Sequence, residues 1–188
     1  MDNTVVDRLH TEFSALLSVL HEKQEISLLS SVDDNWRKSL LLSAASHFEY
    51  RMTDCIMSFV NDTTNGNSLV TTFVKNKAVS RQFHSWFSWD AANANSFFGL
   101  FGAAFLSFMK EKVRRNEALS MSIKAFIELG AERNRLVHQD YGTFAMEKTA
   151  DEIYELYKKA LMFVVEFPKA LSEFSEMQSN VNETPTSR

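Results

Sequence analysis

The chain has 188 residues, 45% of them hydrophobic, which is enough for one domain with a sizeable core and too apolar for a disordered segment. A formal net charge of −4 excludes a general basic coat for nucleic acid, so any contact with nucleic acid has to be a local pocket or stripe. The single cysteine, Cys55, excludes an internal disulfide, fits a reducing compartment and falls in an apolar helical pattern that predicts a buried, inert thiol.

Only 5 Gly and 2 Pro punctuate the chain, which favours long helices over short strands, and the 16 Phe predict a core of aromatic rings. The first apolar residues alternate with Asp7, Arg8 and Glu12, unlike a secretory signal. The most apolar run, 97–109, is shorter than the ~20 residues of a spanning helix. The expectation is a cytoplasmic protein with no membrane contact.

Residues 3–30 carry the first helical pattern, with Val6, Leu9, Phe13, Leu16, Leu17 and Leu20 on one stripe and His10 and His21 expected in solvent. Ser31-Val32-Asp33-Asp34 offers an N-cap to a second helix reaching about Asp62. Its apolar face holds Trp36, Leu40, Ala44, Phe48, Met52, Cys55, Phe59 and Val60, and His47, Glu49 and Arg51 are expected on a solvated edge. Asn65-Gly66 marks a turn. Ser68 is then placed to cap a third helix to about Trp86, with Lys75, Lys77 and Arg81 on a basic edge. Residues 85–95 read as an ordered loop pinned by Trp86 and Trp89, either of which could instead stack on a base. A fourth helix, 95–115, has Gly99, Gly102 and Ala103 on one face, which would admit a close neighbour. Thr149 and Glu152 form a capping box opening the last helix, which Pro168 should kink or interrupt. From Ser179 the chain is polar and expected to be disordered, giving one domain, 1–178, and a tail, 179–188.

The fifth helix carries the polar chemistry. On a wheel of ~100° per residue, Leu119, Ile123, Phe126, Ile127, Gly130 and Val137 form a core stripe. Asn134 falls inside it, and Arg133 and His138 flank it. A buried amide without a partner costs ~1–3 kcal/mol, so this grouping needs a reason. One is structural: Asn134 caps a neighbouring loop, and the two cations sit where a helix C-terminus favours them.

The other reason comes from residue order. Arg133-Asn134 followed by His138 resembles the R-x4-6-H signature of the HEPN superfamily (higher eukaryotes and prokaryotes nucleotide-binding domain). Residues 44–49 (AASHFE), 73–77 (FVKNK) and 95–102 (NSFFGLFG) are similar to the RiboL-PSP branch of that superfamily, and the resemblance spans about 40 to 167. It implies an all-α bundle of five or six helices that dimerises with its motif helices at a two-fold seam, which would give Asn134 a partner. It also implies a metal-independent endoribonuclease, cutting RNA by attack of the 2′-OH, with no cofactor or metal. Catalytic residues would be Arg133, Asn134 and His138; Arg135, Lys75, Lys77, Tyr141 and Glu49 are candidates for RNA contact. Such enzymes serve as toxins or anti-phage effectors, which implies an antitoxin or regulatory partner. Some carry a Tyr two residues after the His; here Asp140 stands there and Tyr141 follows, so control through that Tyr does not carry over. The alternatives are a non-catalytic HEPN module that binds a nucleotide, RNA or a protein, and an unrelated helical interaction bundle.

Overall fold

A computed structural model describes residues 4–182, and among them every regular element is helical. The α-helices are α1 (Val5–Glu22), α2 (Ile26–Thr63), α3 (Ser68–Val74), α4 (Phe83–Trp86), α5 (Asn95–Gly99), α6 (Ala103–Arg115), α7 (Glu117–Val137) and α8 (Ala150–Asn182), with a π-helical turn at Lys75–Val79. The three long helices α2, α7 and α8 pack together, and α1 closes over α2 and α8. The bundle is all-α, as the sequence implies; the helix count is higher because two of the expected helices break.

Four expected boundaries move. The first corner is at residues 23–25, where Gln24 takes φ +60° and its N–H and that of Glu25 donate to the carbonyls of His21 and Leu20. No break occurs at 31–34. Asp33 and Asp34 are spent instead on Arg37 (3.0 Å) and Lys38 (2.7 Å), one helical turn on, so α2 runs unbroken for 38 residues. Asn67, not Ser68, caps α3, its Oδ1 accepting from the N–H groups of Leu69 and Val70. The fourth expected helix is split at Gly102, whose φ of +97° is open to glycine alone at little cost; neither it nor Gly99 meets a close neighbour. The Asn65-Gly66 turn forms as expected, with both residues left-handed. So does the capping box, in which Glu152 accepts from the Thr149 N–H at 2.8 Å. Pro168 lies inside α8, which continues to Asn182, past the start of the expected disordered tail; residues 183–188 lie outside the described ones.

Phenylalanines do dominate the interior. Phe97, Phe98, Phe105, Phe126, Phe163 and Phe167 are all buried, and Phe97, Phe98 and Phe105 each meet the Phe167 ring. Such pairs contribute ~0.5–1.5 kcal/mol each beyond their area. Buried Ser122 on α7 ties the two central helices: its hydroxyl donates to the Ala160 carbonyl (3.2 Å) and accepts from the Phe163 N–H (2.7 Å).

Two polar knots tie the start of α8 and the loop before it to α1 and α2. Asp7 accepts from Tyr154 (2.8 Å), Lys158 (3.1 Å) and the Thr4 backbone (2.8 Å). Burial alone would raise its carboxyl, but these bonds outweigh it and hold the group far below the carboxylate range. His10, expected in solvent, is half-buried, stacked on Tyr154 at 4.0 Å and bonded to Asp151 at 2.8 Å. In the second knot Lys38 is 1% exposed, its Nζ donating to Asp34 and to the Tyr141 carbonyl (2.9 Å). Arg37 Nη1 donates to the Met146 carbonyl at 2.8 Å. Together they clamp the segment that follows the motif helix.

Cys55 is half-buried rather than fully so; burial and then Asp54 push its thiol up to about 11, which keeps it unreactive. Among the described residues no helix is long and apolar enough to cross a membrane.

Candidate functional site

Where α7 ends, its stripe stops facing the core and faces a cavity of about 360 Å³. Leu136 turns into the core at 1% exposure, while Val137, expected there, is 44% exposed. The cavity is lined from α2 by Ala45, Phe48 and Glu49, from the 81–89 segment by Arg81, Phe83, His84 and Trp89, and from α7 by Phe126, Leu129, Gly130, Arg133, Asn134 and His138. A polar pair within an apolar stripe thus has a reason inside one chain: the stripe outlasts the core.

Arg133 Nη1 donates to Asn134 Oδ1 at 3.1 Å, so the amide orients the guanidinium of its neighbour and no bond to the His138 ring is formed. Both residues are half-buried. His138 ends α7, its backbone N–H donating to the Asn134 carbonyl, and its exposed ring is left free to meet a ligand. Neither Arg133 nor Arg81 has a carboxylate partner among the described residues, although Glu49 lines the same space. Two guanidinium groups without a carboxylate partner beside an apolar floor are chemically suited to an anion carrying a flat ring.

Glu49 is the only one of the five supporting candidates that reaches the cavity. Arg135 turns to Glu132 (3.0 Å) and lies over the Phe144 ring. Lys75 and Lys77 are exposed on the π-helical turn. Tyr141 lies under Lys38, its carbonyl held and its ring 5.2 Å from Nζ. Trp86 is 5% exposed and donates its indole N–H to the Ala78 carbonyl, so it cannot stack on a base. Trp89 donates to the His84 carbonyl at 2.8 Å and lays its ring against Gly130.

Arg81 and His84 were not singled out as site residues from the sequence. The usable signal was a cation and an imidazole three residues apart beside two tryptophans, yet the distance in sequence to Arg133 hid the link. His47, expected on a solvated edge, is half-buried against Tyr157 and Phe48. Burial, then the nearby Arg51, lowers its pKa from the ordinary 6.5. Among the described residues no group of three or more His, Cys, Asp or Glu is arranged to hold a metal ion.

No curated protein and no solved structure shows a significant match to the chain. A family model described as RiboL-PSP-HEPN matches residues 7–173, nearly the whole chain, with the cavity and its motif helix inside the matched span. The chain therefore belongs to the RiboL-PSP-HEPN family.

Proposed function

We propose that the protein is a metal-independent endoribonuclease acting as a homodimer, a toxin or anti-phage effector restrained by an antitoxin or regulatory partner. The observation that supports it is the convergence of Arg133, Asn134 and His138 on one cavity with an apolar floor. RNA is cut when its 2′-OH attacks the adjacent phosphorus and the 5′-oxygen leaves. Arg133, oriented by Asn134, stabilises the charge that builds on the phosphoryl oxygens. His138 moves a proton on or off a reacting oxygen. Phe83 and Trp89, both half-buried in the cavity wall, give the attached base an apolar surface.

The test is incubation of the purified protein with single-stranded RNA in excess EDTA. Fragments ending in 2′,3′-cyclic phosphate are expected, with DNA of the same sequence intact. His138→Ala should lose ~10²–10⁴-fold in rate while staying folded. If RNA binds without cutting under every condition tried, a non-catalytic nucleotide- or RNA-binding module is the better reading, one that the apolar floor equally serves. Light scattering at micromolar concentration should give the mass of a dimer, and a monomer would refute the two-fold seam.

A further inference from the structure

The cavity holds more chemistry than the motif supplies. His84 and Arg81 reach it from a different part of the chain, some fifty residues before His138, and nothing else in the fold employs their side chains: among the described residues neither makes a side-chain hydrogen bond or ion pair. The segment that carries them is nonetheless held firmly. Arg81 takes φ +61°, a left-handed conformation that is uncommon away from glycine. Ser80 N–H donates to the Lys75 carbonyl at 2.7 Å, and Ser85 Oγ donates to the Gln82 carbonyl at 2.8 Å. The Trp89 indole N–H donates to the carbonyl of His84 itself, and its ring rests on Gly130, one turn before Arg133 on the motif helix. A backbone held from both sides in an uncommon conformation, presenting two unpaired polar side chains to a cavity, is what a prepared site requires.

We propose that His84 is the second proton-transfer residue of this site and that Arg81 is its second phosphate ligand, so that one chain supplies both halves of the reaction. This rests on the nuclease reading above. Transesterification of RNA moves two protons: one leaves the 2′-oxygen as it bonds to phosphorus, and one joins the 5′-oxygen as its bond to phosphorus breaks. One imidazole of the His84–His138 pair accepts the first, and the other, protonated, donates the second. The products are a 2′,3′-cyclic phosphate and a free 5′-OH; no water or external co-reactant is consumed, and exchange with solvent resets the two rings. Two walls of one cavity thus each present an imidazole and a guanidinium: His84 and Arg81 on one, His138 and Arg133 on the other. The pair gives each chain an acid and a base of its own beside whatever a two-fold seam adds.

The test uses the full chain and two substrates: ordinary RNA, and the same RNA with one 5′-phosphorothiolate linkage, whose sulfur leaves without being protonated. Variants are His84→Gln, His138→Gln and Arg81→Ala, each checked by thermal melting. On ordinary RNA, His84→Gln should lose ~10²–10⁴-fold in kcat, and its bell-shaped pH profile should keep a single limb. On the thio substrate one of the two His variants, not both, should recover to near the wild-type rate. Arg81→Ala should lose ~10²-fold or more on both substrates, because phosphate charge is present in either case. His138→Gln inactive with His84→Gln at the wild-type rate and an unchanged pH profile overturns this proposal alone. A folded wild type inert towards both substrates overturns the nuclease reading, and this proposal with it. If His84→Gln melts early and its loss follows instability on both substrates equally, His84 is structural and the proposal also fails.

Discussion

Gly130→Ala sets two opposite tendencies against each other within α7. In an ordinary helix interior the change stabilises by ~1 kcal/mol, because alanine gives up less backbone freedom. Here a Cβ would run into Cζ3 and Cε3 of Trp89 and come within 2.8 Å of its Cη2. The ring cannot simply swing away. Its N–H is bonded to the His84 carbonyl at 2.8 Å, and Phe87 and Phe83 lie at 5.0 and 5.9 Å between centroids. Displacing it costs ~1–3 kcal/mol of overpacking and ~1 kcal/mol for the lost hydrogen bond. The expected net effect is destabilisation by ~1–3 kcal/mol. In a Trp89→Ala background the obstacle is gone, so Gly130→Ala should regain its ordinary helix benefit. A double-mutant cycle from urea unfolding should therefore give a coupling of ~2–4 kcal/mol between the two positions, above the usual non-additivity of distant sites. Gly130→Ala stabilising the wild type, or additive changes, would refute the close approach. The same substitution should lower RNA cleavage, since the ring that moves is the one holding His84.

Further outcomes follow from the polar knots and from the site. Lys38→Ala leaves the Tyr141 carbonyl without its buried donor, while Asp34 keeps Arg37, and should cost ~1–3 kcal/mol by denaturant unfolding, with faster proteolytic cutting between Gln139 and Phe144. Two lowered pKa values predict acid sensitivity: stability is full above pH 6.5, falls first as His47 is driven to protonate, and falls again below about 3.8 as Asp7 does. Thermal melting against pH should show both stages; Asp7→Asn should shrink the second, to which the lowered carboxyls of Glu111 and Glu152 also contribute, and a flat profile from pH 7 to 3 would refute the assignment. Arg135→Ala should leave cleavage within about twofold of wild type, because the side chain is turned to Glu132; a loss like that of Arg133→Ala would show that it reaches RNA in another conformation.

What could be read from the sequence was whatever one element decides for itself. The stripe of α7, the Thr149–Glu152 capping box and the Asn65-Gly66 turn are local, and each was legible. The corner at Gln24 was not, because glutamine carries no mark of a left-handed residue. Asp33 and Asp34 look the same as caps or as partners of Arg37 and Lys38, and only the unbroken α2 decides between them. The motif could be found because its residues sit on one helix. The rest of the cavity is tertiary: Glu49, Arg81 and His84 meet it only once three separated segments have packed, and the trap for Tyr141 under Lys38 arises in the same way.

That trap also bears on synthesis. The chain leaves the ribosome with Lys38 early and Tyr141 about a hundred residues later, so α2 cannot settle into its final burial while the later segment is still being made. Until then a lysine destined for 1% exposure has only Asp34 to satisfy it, and the core around it stays open to water. A chain that stops short of residue 141 should therefore remain soft and be cleared by proteases. If the cavity cuts RNA, this delay has a protective side: the site is assembled only after the clamp has closed, when the chain is nearly complete.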